Sequence, residues 1–181
     1  ARELESDGHL LEAPGGLHGA SMYLEEASVT GTETALLAAA AARGTTEIRH
    51  AACEPHVVEL CRFLRKMGAG VSGEGTPTIR VEGAARLRGA THELAGDYIE
   101  AGSWAVVAAV TGGAIDVMGA RALDMEVIAS VLERMQVRCT VEDGRFSVEP
   151  STPVGASRIT TGLWPGFPSD LISLIAVLGT Q

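Results

Sequence analysis

The sequence predicts an α/β fold, in the α+β sense, built of βαβαββ repeats whose opening helices lie inside and whose sheets lie outside. Three observations predict it. The chain resembles itself: "LLAAAAARGTTEIRHAACEPHVVELCRFLRKMGAGV" (36–71) aligns without a gap on "WAVVAAVTGGAIDVMGARALDMEVIASVLERMQVRC" (104–139), so that Gly44 falls on Gly112, Leu64 on Leu132 and Met67 on Met135. The first helix of each copy is apolar nearly all round, which calls for burial on every side. Hydrophobic residues make up 46% and charged residues 20%, enough apolar surface to offset the entropy of ordering the chain.

Each element follows in order. "ASMYLEE" and, in the second copy, "ATHELAG" read as lead-in strands. "ETALLAAAAAR" and "SWAVVAAVTG" read as the buried helices, and "TTEIRHA" and "AIDVMGA" as the strands after them. The second helix of each copy is amphipathic, with Val57, Val58, Leu60, Cys61 and Leu64 on one stripe and Val127, Ile128, Val131, Leu132 and Met135 on the other. "GVSGEG" with "TIRVEG", and "RCTVEDG" with "RFSVEP", close the units as hairpins, the second turning at Asp143-Gly144. A third copy starts with "SRITTG" and "SDLISLIAVL". One unit cannot cover its own inner helix. Exposed leucine and valine there would leave a sticky patch, so a self-association partner or further segments of the same polypeptide are expected. The chain opens without methionine and stops directly after an apolar helix, which reads as a piece of something longer.

The net charge of −9 argues against binding a nucleic-acid backbone, although a local site can oppose the global sign. Cys53, Cys61 and Cys139 are odd in number and widely spaced, as in a protein of the reducing cytoplasm. Cys53 and His56 form a lone C-x-x-H, too few ligands for a structural zinc. No apolar run is long enough to span a membrane. "GAGVSG" (68–73) has the spacing of a dinucleotide fingerprint but follows a helix and enters a strand, the reverse of what that motif needs.

Candidate chemistry sits where the inner helices begin. "SVTGTE" offers Thr30 as N-cap with Glu33 as its capping-box partner, and "DYIEAG" repeats the spacing with Asp97 and Glu100. Helix N-termini carry unpaired N–H groups and attract anions. The hydroxyls of Ser28, Thr30 and Thr32 and the bare backbone at Gly31 would admit a diphosphate, against the plainer reading of ordinary capping. In "CEPH", Pro55 suits a first helical turn and Glu54 the dipole. "WPGFPSD" (164–170) is stiffened by Pro165 and Pro168, and Trp164 and Phe167 can wedge it onto apolar surface. Asp170 would then stand at a fixed point, either as a general base or as a cap in the first turn of its helix, with Ser169 as the other cap candidate.

These residues resemble a known family. "SVTGTE", "LLAAAAARGTTEIRHAACEP", "FLRKMGAGVSGEGTPTIRVEG", "DYIEAGSWAVVAAVTGG" and "PGFPSD", in this order, look like the UDP-N-acetylglucosamine 1-carboxyvinyltransferases, which are enolpyruvyl transferases, over residues 8–181. The sibling 3-phosphoshikimate 1-carboxyvinyltransferases are less similar at "AACEP" and "PGFPSD". The resemblance implies an inside-out α/β barrel of two lobes with the active site between them, of which only part is present. Residues 1–95 would belong to the first lobe and 96–181 to the second. It implies transfer of the enolpyruvyl group of phosphoenolpyruvate to the 3-hydroxyl of UDP-N-acetylglucosamine, in the cytoplasm, for peptidoglycan synthesis. It implies no cofactor, no metal and no nucleic-acid or membrane partner. Asp170 matches the family's candidate base, and Ser28, Val29, Thr30 and Gly31 fall in its UDP-binding segment.

The sequence departs from that pattern in places. Glu26 stands where the family often has lysine, Cys53 where "REPE" has arginine, and Tyr98 where "DRIE" has arginine. The family's lysine-asparagine pair for phosphoenolpyruvate and its reactive loop cysteine would precede Ala1, and further arginines would follow Gln181. The segment alone is therefore expected to be inert. A non-catalytic binding or assembly module, and a transferase for another acceptor, stay open beside the first reading.

Overall fold

The computed structural model describes residues 2–3, 9–10, 12–142 and 144–181. The chain forms two compact units, one of residues up to Ala52 with Leu60–His92 and one of Cys53–Glu59 with Glu93–Gln181.

In the first unit two short strands, β1 (Arg2–Glu3) and β2 (His9–Leu10), pair antiparallel. The main sheet has four strands in the order β3 (Ser21–Tyr23), β4 (Thr45–Arg49), β6 (Thr78–Glu82), β5 (Gly70–Ser72). β3 runs parallel to β4, joined by helix α1 (Val29–Ala41), and the other pairings are antiparallel. Period-two alternation fixes which face is inside. Thr46 and Ile48 on β4 face the core in register with Val81 and Ile79 on β6, and Val71 on β5 lies beside Val81. Helix α2 (Pro55–Met67), whose residues up to Glu59 belong to the second unit, starts at its proline, where a missing N–H costs nothing, and buries Val57, Cys61 and Leu64 on one stripe.

The second unit holds α3 (Tyr98–Thr111), β7 (Ile115–Met118), α4 (Ala122–Arg134), β8 (Cys139–Glu142) and β9 (Arg145–Val148). A single 3-10 turn (Ser169–Leu171) leads into α5 (Ile172–Leu178). Its sheet is antiparallel in the order β7, β9, β8, the same order as β4, β6, β5, so the repeat read in the sequence is a repeat in topology. The core gathers Ala101, Ala105 and Ala109 of α3, Met125, Ile128 and Leu132 of α4, Phe146 and Val148 of β9, and Leu171, Ile175 and Leu178 from the last segment. Gly112 ends α3 in the left-handed conformation, with φ 66, as a helix-terminating glycine does. Asp143, expected to share the β8–β9 turn, lies outside the described residues; Gly144 beside it has φ 85.

Four expectations are corrected. The second lead-in strand does not form: no residue of 90–96 is in a strand. In the first unit β3 is laid alongside β4 by a bridge from His18 to Arg43 and a bond from the Gly19 N–H to the Arg43 carbonyl. The corresponding "ATHELAG" segment instead carries the chain out of the first unit at His92 and into the second at Glu93, so it cannot follow β7 along its length. "SRITTG" likewise makes only one bridge, Thr161 to Phe167. The first inner helix begins at Val29 rather than after Thr30, whereas the second begins at Tyr98 as its Asp97 cap implies. Neither is buried on every side. Leu37 on α1, and Trp104 and Val107 on α3, stay about half exposed, the uncovered apolar surface foreseen for an isolated unit.

Candidate functional site

In the first unit the start of α1 is built by Ser28 and Thr32. Ser28 is the N-cap, in extended conformation, and its Oγ accepts the Gly31 N–H at 3.1 Å. Thr30, expected to be the cap, is already inside the helix, and so is Glu33. Ser28 has the residue type a cap needs and stands three residues before the N–H it bonds, so the cap falls two residues earlier than the Thr30–Glu33 spacing predicts. The Ser28 and Thr30 hydroxyls lie 3.3 Å apart. Val29 and Thr30 supply the first backbone N–H groups of the helix, which have no carbonyl one turn back to bond. Ser28, Val29, Thr30 and Gly31 therefore form one helix start, in which the Gly31 N–H is already bonded to Ser28 Oγ.

Thr32 does not join them. It is fully buried, its Oγ1 donating to the Ser28 carbonyl at 2.7 Å and accepting the Ala52 N–H at 2.9 Å. Its hydroxyl ties the helix start to the segment after β4 and offers nothing to a ligand. Glu26 is exposed two residues before the cap, and its carbonyl accepts the Ser28 N–H at 2.8 Å. Nearby, His50 takes a left-handed conformation (φ 59), stacks on Tyr23 and lies 2.9 Å by Nδ1 from the Leu24 carbonyl, bracing the loop that leads to Ser28.

In the second unit Asp97 caps α3 as expected, accepting from the Ile99 and Glu100 N–H groups at 2.8 and 3.2 Å. The turn that ends at Asp170 is wedged as expected. Phe167 is buried, and Trp164 meets the ring of Tyr98 edge-to-face with centroids 5.3 Å apart. The Trp164–Pro165 bond is cis. Ser169 makes no cap: the 3-10 turn has Pro168 before it and no side-chain capping bond. Asp170 is exposed in the middle of that turn.

Tyr98 is nearly buried, and its phenol is pushed up to about 12, first by burial and then by the charges of Glu54, Asp170, Asp97 and Asp124. Glu54 Oε2 is buried with no hydrogen-bond partner among the described residues. A second cluster, which the sequence did not announce, joins Arg121 to Asp124 at 2.6 Å and to Glu59 at 3.1 Å. Both carboxylates are nearly covered, and their pull raises the Arg121 pKa against the burial that would lower it. This ties the first turns of α2 to the start of α4.

The three cysteines are poor nucleophiles. Burial pushes Cys61 and Cys139 up to about 11, and burial followed by the Glu54 charge raises Cys53. Among the described residues no group of three or more His, Cys, Asp or Glu could hold a metal ion, and no helix is long and apolar enough to cross a membrane. A surface hollow of about 400 Å³ lined by Glu133, Gln136, Arg138, Cys139 and Glu149 contains none of the candidate residues, and its arginine is paired with Glu149.

The sequence profile of EPSP synthase (3-phosphoshikimate 1-carboxyvinyltransferase) matches residues 5–181. The chain belongs to the EPSP synthase family. Among curated members it is similar to the UDP-N-acetylglucosamine 1-carboxyvinyltransferase of Rhodopseudomonas palustris strain BisB5, 41% identical over 94% of this chain and 40% of that protein. The enzyme of the same name from Treponema denticola is 38% identical over 91% of this chain and 41% of its own length. The fold agrees with two solved members. The enolpyruvyl transferase NikO from Streptomyces tendae has a TM-score of 0.76 at 23% identity, covering 93% of this chain and 45% of that one. An EPSP synthase from Acinetobacter baumannii has a TM-score of 0.59 at 22% identity, covering 91% and 37%. This EPSP synthase family chain thus spans about 40% of the length of the curated relatives it matches.

Proposed function

We propose that the polypeptide containing these residues transfers the enolpyruvyl group of phosphoenolpyruvate to the 3-hydroxyl of UDP-N-acetylglucosamine, releasing phosphate, as a cytoplasmic step of peptidoglycan synthesis. The observation that carries it is the 41% identity over 94% of the chain to an enzyme named for that reaction. Two groups of residues support the reading. Ser28, Val29, Thr30 and Gly31 present helix-start donors suited to the UDP moiety. Asp170 is exposed on a turn held by buried neighbours and takes the proton of the acceptor hydroxyl. Residues 1–95 belong to one lobe and 96–181 to the other. The half-exposed Leu37, Trp104 and Val107 support further segments or a second copy as partners. The segment alone is inert, because a positioned base cannot replace the cationic groups that hold phosphoenolpyruvate and stabilise developing charge.

Isothermal titration of UDP-N-acetylglucosamine into the full-length polypeptide tests the substrate. Absence of heat at millimolar ligand would defeat the proposal. Asp170→Ala tests the base: turnover should fall roughly 100- to 10,000-fold while nucleotide affinity holds, and equal losses in both would remove Asp170 from that role.

A second reading, a non-catalytic binding module of the same fold, is favoured by one observation. Glu26 puts an exposed carboxylate two residues before the cap, where it opposes a diphosphate. A third, transfer to another acceptor, would show as phosphate release in a screen over sugar and shikimate acceptors.

A further inference from the structure

We propose that Tyr98 is the positioning residue for Asp170, its ring bracing Trp164 at the far end of the turn that carries the carboxylate. This rests on the reading of Asp170 as base. No hydrogen bond to the Asp170 carboxylate forms among the described residues, so its place is set by the anchors on either side of it. On one side Trp164 is half-buried against Tyr98, planes at 72° and centroids 5.3 Å apart. On the other, Leu171 is 1% exposed and seats over Gly102, where a β-carbon would stand 2.6 Å from its Cδ1. Tyr98 and Gly102 are one turn apart on α3, so one helix face holds both ends. Around Trp164 the turn closes on itself, Gly162 N–H to the Phe167 carbonyl at 3.0 Å and Gly166 N–H to the Leu163 carbonyl at 2.6 Å. The Asp170 charge contributes to the raised phenol pKa, which places the two groups within electrostatic reach.

The test compares Tyr98→Phe, which keeps the ring, with Tyr98→Leu, which removes it, in the full-length polypeptide. A Trp104→Phe background leaves Trp164 as this segment's only tryptophan. Tyr98→Leu should lower kcat roughly 100-fold, the usual cost of a misplaced catalytic group, leave KM for the nucleotide sugar within about threefold, and weaken the near-ultraviolet dichroism of Trp164. Tyr98→Phe should restore all three. Unchanged kcat in Tyr98→Leu, or equal loss in both variants, overturns the proposal. If Tyr98→Leu does not fold, Trp164→Leu removes the same contact from the other side and must show the same split. Asp170→Ala is run alongside. If that variant keeps its turnover, the base reading has failed, and the dichroism still decides whether Tyr98 holds the turn.

Discussion

Gly102 and Leu171 touch so closely that no side chain fits between them. A β-carbon on the glycine would lie 2.6 Å from the Leu171 Cδ1 and 3.0 Å from the Ile128 Cδ1, and both partners are 1% exposed. Exchange to alanine favours the helix by about 1 kcal/mol. Forcing two packed side chains aside costs about 1–3 kcal/mol. The second effect should win, because neither neighbour has solvent to move into. We expect Gly102→Ala to lower the midpoint of urea unfolding, and a midpoint at or above that of the parent would show that Leu171 is not seated as described.

Thr32 gives a cleaner measurement. Thr32→Val keeps the shape but leaves the Ala52 N–H, on a residue 1% exposed, without its acceptor. An orphaned buried donor costs about 1–3 kcal/mol. The Ala52 amide should exchange with deuterium faster in the variant while β4 keeps its protection. Unchanged exchange at Ala52 would mean that the hydroxyl does not hold that segment.

Burial shows in the ionisation of Tyr98. Tyr23 is exposed, whereas burial and four nearby carboxylates hold the Tyr98 phenol up at about 12. Because the folded pKa lies above the unfolded one, the stability linked to it is fully present below about pH 10 and is lost as the pH rises towards 12. Absorbance at alkaline pH should lose its latest phenol step in Tyr98→Phe. The thiols follow the same logic: with Cys61 and Cys139 near 11, alkylation at neutral pH should be slow in the folded chain and rapid in denaturant. Rapid labelling at Cys61 in the native protein would contradict its burial.

Local chemistry wrote much of this molecule in advance. The repeat, the amphipathic stripes of α2 and α4, the two closing hairpins, the Asp97 cap and the proline-stiffened turn before Asp170 all depend on near neighbours in the chain, and periodicity and turn residues report those faithfully. The residue types at the start of α1 were also legible, but their division of labour was not. Ser28 and Thr32 look equivalent until Ala52, distant in sequence, arrives to bond one of them and bury it. "ATHELAG" stands in the repeat where β3 stands in the first copy, yet a strand exists only where a partner runs beside it, and these residues instead lead from one unit to the other. Arg121 meeting Glu59, and Tyr98 meeting Trp164, are contacts between residues more than sixty positions apart. Sequence spacing carries no term for such distances; packing does, because the space left beside one side chain is set by whichever other segment reaches it.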